Sequence, residues 1–192
     1  FSYRSASAVL GDEPQANGNF SPVSLYLALA MTQMGAAGET RDEIAAALSS
    51  SDAAATAEQC GNLMRLLATD HLSDVRLANS VWMRPDAQFK QPFVDAMRDQ
   101  FYASLFLADF GTGAADKAMA QWIADNTEGT LNPTFESQEG QLLSLIDTVY
   151  FKSEWAKAFD AEATEPGMFA AEGGAMQAAF MAQRLDRPQE IR

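Results

Sequence analysis

Apolar positions along the first third of the chain recur with the spacing of α-helices. Residues 1–10 form a short segment with one apolar face, and the polar stretch GDEPQANG after it is typical of a turn. After Ser21, apolar residues recur every three or four positions, as on the buried face of a helix. That face comprises Val23, Leu27, Ala30, Met31 and Met34. The pattern predicts a helix that begins after Ser21 and ends at Gly35 or Gly38.

Polar residues suggest where the first helices begin. Ser21 is a good N-cap, and Pro22 would then occupy the first helical position, where its missing N–H costs nothing. Thr40 and Glu43 have the spacing of a capping box, which predicts a second helix that ends at Leu48. The stretch SSSD interrupts it, and a third helix is expected over roughly residues 55–68.

The period changes from helical to alternating after residue 74. Strands are predicted at 75–84, 103–110 and 142–151, with helices at 89–101 and 116–126 and two weak strands within 166–183 around Gly173 and Gly174. The stretch LLSLIDTVYF, residues 142–151, is apolar on both faces, which is typical of a central strand covered above and below. Helices first, then strands interleaved with helices, predict an α+β fold.

Composition and charge exclude several classes of partner. The chain has 192 residues and a net charge of -13, so we expect no nucleic-acid partner and no binding to anionic lipid. The longest apolar run, residues 25–31, is too short to span a bilayer. No signal peptide is visible, but a mature secreted chain that has lost its leader would look the same.

Residue types that carry catalysis or bind metals are scarce. The only histidine, His71, lies in a loop-like stretch, and the only cysteine, Cys60, shares a helical stripe with Leu63, Met64 and Leu67. We interpret Cys60 as a core residue rather than a reactive thiol. The three tryptophans, Trp82, Trp122 and Trp155, are too widely spaced for a stacking platform and are expected in the interior. No catalytic residue, metal site or cofactor is predicted.

Four sequence blocks resemble one protein family. They are NFSPVS with GAAGET (19–24 and 35–40), ANSVW (78–82), WI with NTEG (122–123 and 126–129), and LIDTVYFK with Trp155 and FD (145–152 and 159–160). Their residues, order and spacing are similar to those of the serpins, and Phe169 and the Phe180-Met181 pair extend the likeness. The resemblance covers nearly the whole chain and implies the serpin fold, in which helices pack on a large mixed β-sheet.

The resemblance also assigns mechanical roles to particular residues. It implies that Ser21, Ser24 and Asp147 lie in the shutter, beneath the centre of the main sheet, and that Trp155 lies in the breach at its top. Residues 142–151 would be the strand that separates from its neighbour to admit an inserted loop. The family has asparagine where this chain has Asp147. A buried carboxylate without donors is costly, so we expect Ser21, Ser24 or the family's shutter histidine to bond to Asp147, or the carboxyl to be protonated.

The function that the resemblance implies is suicide inhibition of a serine protease, or of a cysteine protease, by insertion of a cleaved reactive loop into the sheet. A non-inhibitory serpin acting as a binding or chaperone-like module is the alternative, and an enzyme of unknown type is a distant third. We expect residues 1–192 to be the N-terminal portion of a single serpin domain. Its partners would be the target protease and the C-terminal remainder of that domain, which would carry the reactive loop. An extracellular or secreted location is expected.

Overall fold

A computed structural model describes residues 1–11, 18–69, 74–171 and 173–183. Helices and strands alternate in the second half of the chain after four helices in the first. The helices are α1 (Ser2–Leu10), α2 (Pro22–Gly35), α3 (Gly38–Leu48), α4 (Ala53–Ala68), α5 (Gln91–Asp99) and α6 (Gly113–Asn126). The strands are β1 (Asp74–Met83), β2 (Ser104–Leu107), β3 (Leu143–Lys152), β4 (Glu165–Ala171) and β5 (Gly174–Phe180).

Strands β1, β2 and β3 form one sheet, and β4 and β5 form a separate antiparallel pair. The order in the sheet is β2-β1-β3, with β1 parallel to β2 and antiparallel to β3. β1 and β3 pair along their whole length, from Asp74 opposite Lys152 to Met83 opposite Leu143. This register places Asn79 directly opposite Asp147.

The three-stranded sheet separates two hydrophobic cores. Successive side chains on a strand point to opposite faces, so the neighbours Val81 and Trp82 belong to different cores. The core on the Val81 face contains Leu27 and Met31 of α2, Met64 of α4, Met97 of α5, and Phe101 just after α5. The core on the Trp82 face contains Met119 and Ile123 of α6 together with Phe110 and Ile146. The expected α+β architecture of helices packed on a sheet is confirmed.

Most predicted elements lie within a few residues of the observed ones, but the expected start of α3 is wrong. α3 begins at Gly38, with Ala37 as its N-cap, so Thr40 lies inside the helix and forms no capping box. Gly38 has a φ of 59°, a conformation that glycine adopts without strain. The glycine therefore allows α3 to begin three residues earlier than the Thr40–Glu43 spacing predicted. In α2, Val23 is exposed rather than part of the buried face.

Residues 142–151, the predicted central strand, lie at one side of the sheet that the described residues form. β1, not β3, is the middle strand of the sheet formed by the described residues. Ile146 and Thr148 are buried, whereas Phe151, at the end of β3, is exposed. β3 is thus partly covered on both faces, but one of its two edges has no strand beside it in this part of the chain.

Candidate functional site

The N-terminus of α2 lies against the sheet and presents two serines. The Oγ atom of Ser21 accepts a hydrogen bond from the backbone N–H of Ser24 at 3.2 Å, and Pro22 occupies the first turn. The predicted cap is therefore confirmed, and it satisfies one of the free N–H groups of the helix end. The cap uses only the backbone N–H of Ser24 and leaves its hydroxyl for a separate hydrogen bond.

The Ser24 hydroxyl connects α2 to the middle of β3. Its Oγ atom donates a hydrogen bond to Oδ1 of Asp147. The other carboxyl oxygen of Asp147, Oδ2, is buried and has no hydrogen-bond partner among the described residues. Of the two serines expected to bond to Asp147, only Ser24 does so in the structure, whereas the Oγ of Ser21 accepts from the backbone N–H of Ser24.

Burial controls the ionisation of Asp147. It raises the pKa of the Asp147 carboxyl from its ordinary value of 3.8 to about 6, because the charged form loses contact with water. The hydrogen bond from Ser24 favours the carboxylate and acts in the opposite direction, but it is the smaller effect. Among the described residues, no charged side chain contributes to the shift of this pKa. Asp147 is therefore a carboxyl group that can change its protonation state near neutral pH.

An open groove of about 530 Å³ runs beside this pair. Ser21 and Ser24 form one wall, residues 130–133 form another, and Asp147, Thr148 and Val149 of β3 complete it. Asp147 and Thr148 point to opposite faces of the sheet, so a groove that touches both of them must cross the edge of β3. The edge concerned is the one opposite β1, and none of the strands that the structure describes pairs with it.

Residues 130–142, which connect α6 to β3, were not identified from the sequence as part of the site. Hydrogen bonds hold this connection against α6. Leu131 donates from its backbone N–H to Oγ1 of Thr127 at 3.3 Å, and Ser137 donates from its backbone N–H to Oδ1 of Asp116 at 3.1 Å. Ser137 also accepts from the backbone N–H of Gly111 at 3.0 Å. These bonds fix the wall of the groove that faces Ser21 and Ser24.

Asn79 is a second residue that sequence reasoning did not assign to the site. It lies opposite Asp147 on β1, is 1% exposed, and donates from Nδ2 to the backbone oxygen of Phe101 at 2.8 Å. Its position in the ANSVW block, among apolar residues of a predicted strand, was the available signal. The amide joins β1 to the end of α5, next to the Ser24–Asp147 pair.

Trp155 lies away from Ser21, Ser24 and Asp147. It lies three residues beyond the end of β3, and the span from Asp147 to Lys152 alone is roughly 16 Å of extended strand. The indole is 70% exposed and packs edge to face on Phe159, with 5.3 Å between the ring centroids. The expectation that Trp155 is an interior residue is therefore wrong. Its assignment to a breach at the end of the sheet stays a prediction, as does the shutter assignment of Ser21, Ser24 and Asp147.

Other chemistry-bearing residues do not form a further site. Cys60 is 3% exposed and burial raises the pKa of its thiol to about 11, which confirms its interpretation as a core residue. His71 lies outside the described residues. Within the described ranges, no three His, Cys, Asp or Glu side chains come together as a metal site would require. None of the helices seen there has the length and apolar composition needed to cross a membrane.

Comparison with known families identifies one match to nearly the whole sequence. The family described as Serpin (serine protease inhibitor) matches residues 1–189. Serpin-ZXA of Oryza sativa subsp. japonica is 32% identical over 94% of this chain and 50% of its own length. The leukocyte elastase inhibitor of Xenopus tropicalis is 31% identical over 80% of this chain and 43% of its own length. The chain thus spans about half the length of the curated relatives it matches.

Solved structures show the same fold. AtSerpin1 of Arabidopsis, in its native stressed conformation, superposes with a TM-score of 0.83 at 25% identity. It is matched over 95% of this chain and 49% of its own chain. A cleaved Serpin 42Da superposes with a TM-score of 0.84 at 24% identity, over 94% of this chain and 50% of that one.

Proposed function

The chain belongs to the serpin family, and on that premise we propose that it is the N-terminal portion of a protease inhibitor. The inhibitor would trap a serine protease, or a cysteine protease, that cleaves its reactive loop. The cleaved loop would then insert as a new strand beside β3 and carry the bound protease with it. The reactive loop and the last strands would lie in the C-terminal remainder of the domain, beyond residue 192.

The single observation that carries this proposal is the open edge of β3 beside the groove. Ten residues of β3 pair with β1 on one side, while no described strand pairs with the other. An edge of this length presents unpaired N–H and C=O groups, and a strand that pairs with it gains backbone hydrogen bonds along its whole length. The same edge can therefore accept either a resident strand or an inserted loop.

The residues of the candidate site would act mechanically and not as catalysts. Ser21 caps α2, and Ser24 fastens the same helix to Asp147 at the middle of β3. A force that separates β3 from a neighbouring strand would therefore act against this hydrogen bond. We propose that the pair is the pivot about which the edge of β3 opens, and that Trp155 marks the end at which insertion begins.

The names of two relatives support the choice of target. A leukocyte elastase inhibitor and a serine protease inhibitor of Mus musculus are both among the proteins that this chain resembles, the second at 28% identity. Their names identify inhibitors of proteases. An extracellular or secreted location stays a prediction, which fractionation of the source cells with antibodies to residues 1–192 would test.

The test is to mix the full-length protein with serine proteases of different specificity and to look for a covalent complex. Suicide inhibition predicts a band of the summed mass that survives boiling in SDS, together with loss of protease activity. The same protease with its nucleophilic serine replaced by alanine should form no such band. Cleavage of the protein without a stable complex for any protease would contradict the proposal and favour a non-inhibitory binding or chaperone-like role.

A further inference from the structure

A second cavity, of about 650 Å³, lies where α2 ends and α5 begins. It shares no lining residue with the groove beside the Ser24–Asp147 pair, and the proposed inhibitory function gives it no role. Cavities of this size with mainly apolar walls are typical sites for small ligands. The walls here come from α2, from the start of α5 and from the first residues of β3, and comprise Met34, Phe89, Phe93, Leu143 and Leu145.

The GAAGET segment, residues 35–40, forms one side of this cavity. Gly35, Ala36 and Ala37 all line it. A Cβ atom at Gly35 would lie 3.2 Å from the ring of Phe93, which is tighter than ordinary van der Waals contact. The glycine therefore lets the end of α2 pack closely on that ring. The two alanines that follow are too small to fill the space in front of it.

Two cations lie at the rim of the cavity, and no carboxylate lines it among the described residues. Arg41 on α3 and Lys90 at the start of α5 are both exposed, and neither forms an ion pair within the part of the chain that the structure describes. The chain as a whole has 26 acidic and 13 basic residues. This rim is therefore opposite in charge to the protein as a whole, and its local potential favours an anion.

Two helices also begin at the cavity. Ala37, the N-cap of α3, and Lys90, the N-cap of α5, both line it, and neither side chain caps the N–H groups of its helix. Free N–H groups at the start of a helix favour a negative charge nearby. Glu39 lies in the first turn of α3, but it is exposed and does not line the cavity. The helix ends thus reinforce the attraction of Arg41 and Lys90 for an anion.

We propose that this cavity binds a small organic acid, with its apolar body against the Phe and Leu walls and its carboxylate at the rim that carries Arg41 and Lys90. The apolar walls gain free energy when hydrocarbon displaces water from them. A neutral hydrocarbon would leave the two cations without a partner, and a small inorganic anion would leave the walls in contact with water. A ligand that combines both parts fits the cavity better than either alone. The inference is independent of the proposed inhibitory function.

Octanoate is a suitable probe because it joins an unbranched apolar chain to a carboxylate. Titrated into the full-length protein at neutral pH, it should bind saturably with a Kd of about 1 mM or lower. The methyl NMR signals of Met34, Leu143 and Leu145 should shift as it binds. Octan-1-ol has the same chain without the charge and should bind about tenfold more weakly. Acetate lacks the chain and should not shift these signals.

Substitutions at the rim test the part played by the two cations. Arg41→Gln and Lys90→Gln should each weaken octanoate binding about threefold, and the double variant about tenfold, while the affinity for octan-1-ol stays the same. Lys117→Gln is the matched control, because it removes an exposed lysine of α6 that does not line the cavity. It should leave octanoate binding unchanged. Phe89→Ala removes part of the apolar wall and should weaken the binding of both probes.

Three results would overturn the proposal. The first is the absence of saturable octanoate binding up to about 10 mM, or binding that leaves the signals of Met34, Leu143 and Leu145 unshifted. The second is an equal affinity for octanoate and octan-1-ol. The third is full octanoate affinity in the double variant. None of these measurements uses a protease, so failure here leaves the inhibitory function standing, and failure to trap a protease leaves this site standing.

Discussion

Strands β1 and β3 pair residue for residue over ten positions, yet they differ in how completely they are enclosed. β1 has a strand on each side and four consecutive buried residues, 79–82. β3 has a neighbour on one side among the described residues, and its buried positions alternate with half-buried ones. Within the described residues, one sheet thus combines a strand paired along both edges with a strand that is paired along one edge only.

The polar residues at the same register position differ in the same way. Asn79 and Asp147 each have one side-chain oxygen that is buried without a partner in the described part of the chain. The amide of Asn79 is neutral at every accessible pH, and its Nδ2 is bound to Phe101. The carboxyl of Asp147 is ionisable, so its cost depends on pH and on whether water reaches it. The free-energy cost of burying Asn79 on β1 therefore does not depend on pH, whereas the cost of burying Asp147 on β3 does.

The largest change in stability should come from a substitution on β1. Trp82 is 4% exposed and stacks on Phe106 with 4.2 Å between ring centroids. Trp82→Ala would leave a large cavity between the sheet and α6, and we expect it to lower the free energy of unfolding by about 4 kcal/mol. Denaturant unfolding of the full-length protein measures this change. Leu66→Ala, at a position 68% exposed on α4, is the control and should change stability by less than about 0.5 kcal/mol.

A loss of less than about 1 kcal/mol in Trp82→Ala would contradict the interpretation of β1 as the strand that fixes the fold.

The next largest change in stability should come from placing a carboxyl group on β1, at the position opposite the carboxyl of Asp147 on β3. Asn79→Asp would replace the donor to Phe101 by an acceptor and bring two oxygens together in a site with 1% exposure. We expect a loss of about 3 kcal/mol at pH 7. Part of it should be recovered at lower pH, because a protonated carboxyl can donate again. Asn62→Asp, on the exposed face of α4 beside Arg65, is the matched control and should be nearly neutral.

A stability of Asn79→Asp equal to that of the wild type at pH 7 would mean that the enclosed strand tolerates a charge as well as the open strand does.

Replacing the carboxyl of Asp147 on β3 by an amide should have a smaller effect on stability, of opposite sign. The pKa of Asp147 is raised in the folded protein, so the penalty for its charge is fully present above about pH 6 and disappears as the pH falls towards 3.8. Asp147→Asn should therefore raise the free energy of unfolding at pH 7.5 by at most about 3 kcal/mol, the equivalent of the whole pKa shift. The difference between variant and wild type should vanish near pH 4. Denaturant unfolding at a series of pH values checks both statements.

A loss of stability in Asp147→Asn at pH 7.5 would show that Oδ2 has found a good donor outside the described residues, and that the two strands carry equally well satisfied polar groups.

The same contrast between β1 and β3 explains how much could be predicted from the sequence. Helical stripes and alternation identified the helices and strands, because burial imposes a period on each element. The cap at Ser21 was also predictable, since it depends on residues next to each other in the chain. The position of β3 at the side of the sheet could not be read from its hydropathy pattern, because an apolar strand has the same pattern whether or not its edge is paired.

Long-range partners explain the other errors and omissions. The bond from Ser24 to Asp147 spans 123 residues, and it was expected only because of the family resemblance. The hydrogen bond from Asn79 to the backbone oxygen of Phe101 cannot be recognised from residue types, because any residue could supply that oxygen. The exposure of Trp155 could not be read from its apolar character, because a large aromatic residue is common both in cores and at interaction surfaces.

The smallest effect is expected at the end of β3, beyond its last paired residue. Trp155 contacts Phe159 edge to face while 70% of its surface is exposed, so Trp155→Ala removes one aromatic pair and leaves no buried cavity. We expect a loss of about 0.5–1 kcal/mol in the full-length protein, seen as a small decrease in Tm. Phe159→Ala removes the same pair from the other side and should cost a similar amount. If Trp155→Ala costs more than about 3 kcal/mol, the indole must be buried by chain outside the described residues, because exposed aromatic pairs do not reach that value. An unchanged Tm would instead count against the assignment of Trp155 to the breach, since a residue that holds the end of the sheet closed must contribute to the stability of the closed state.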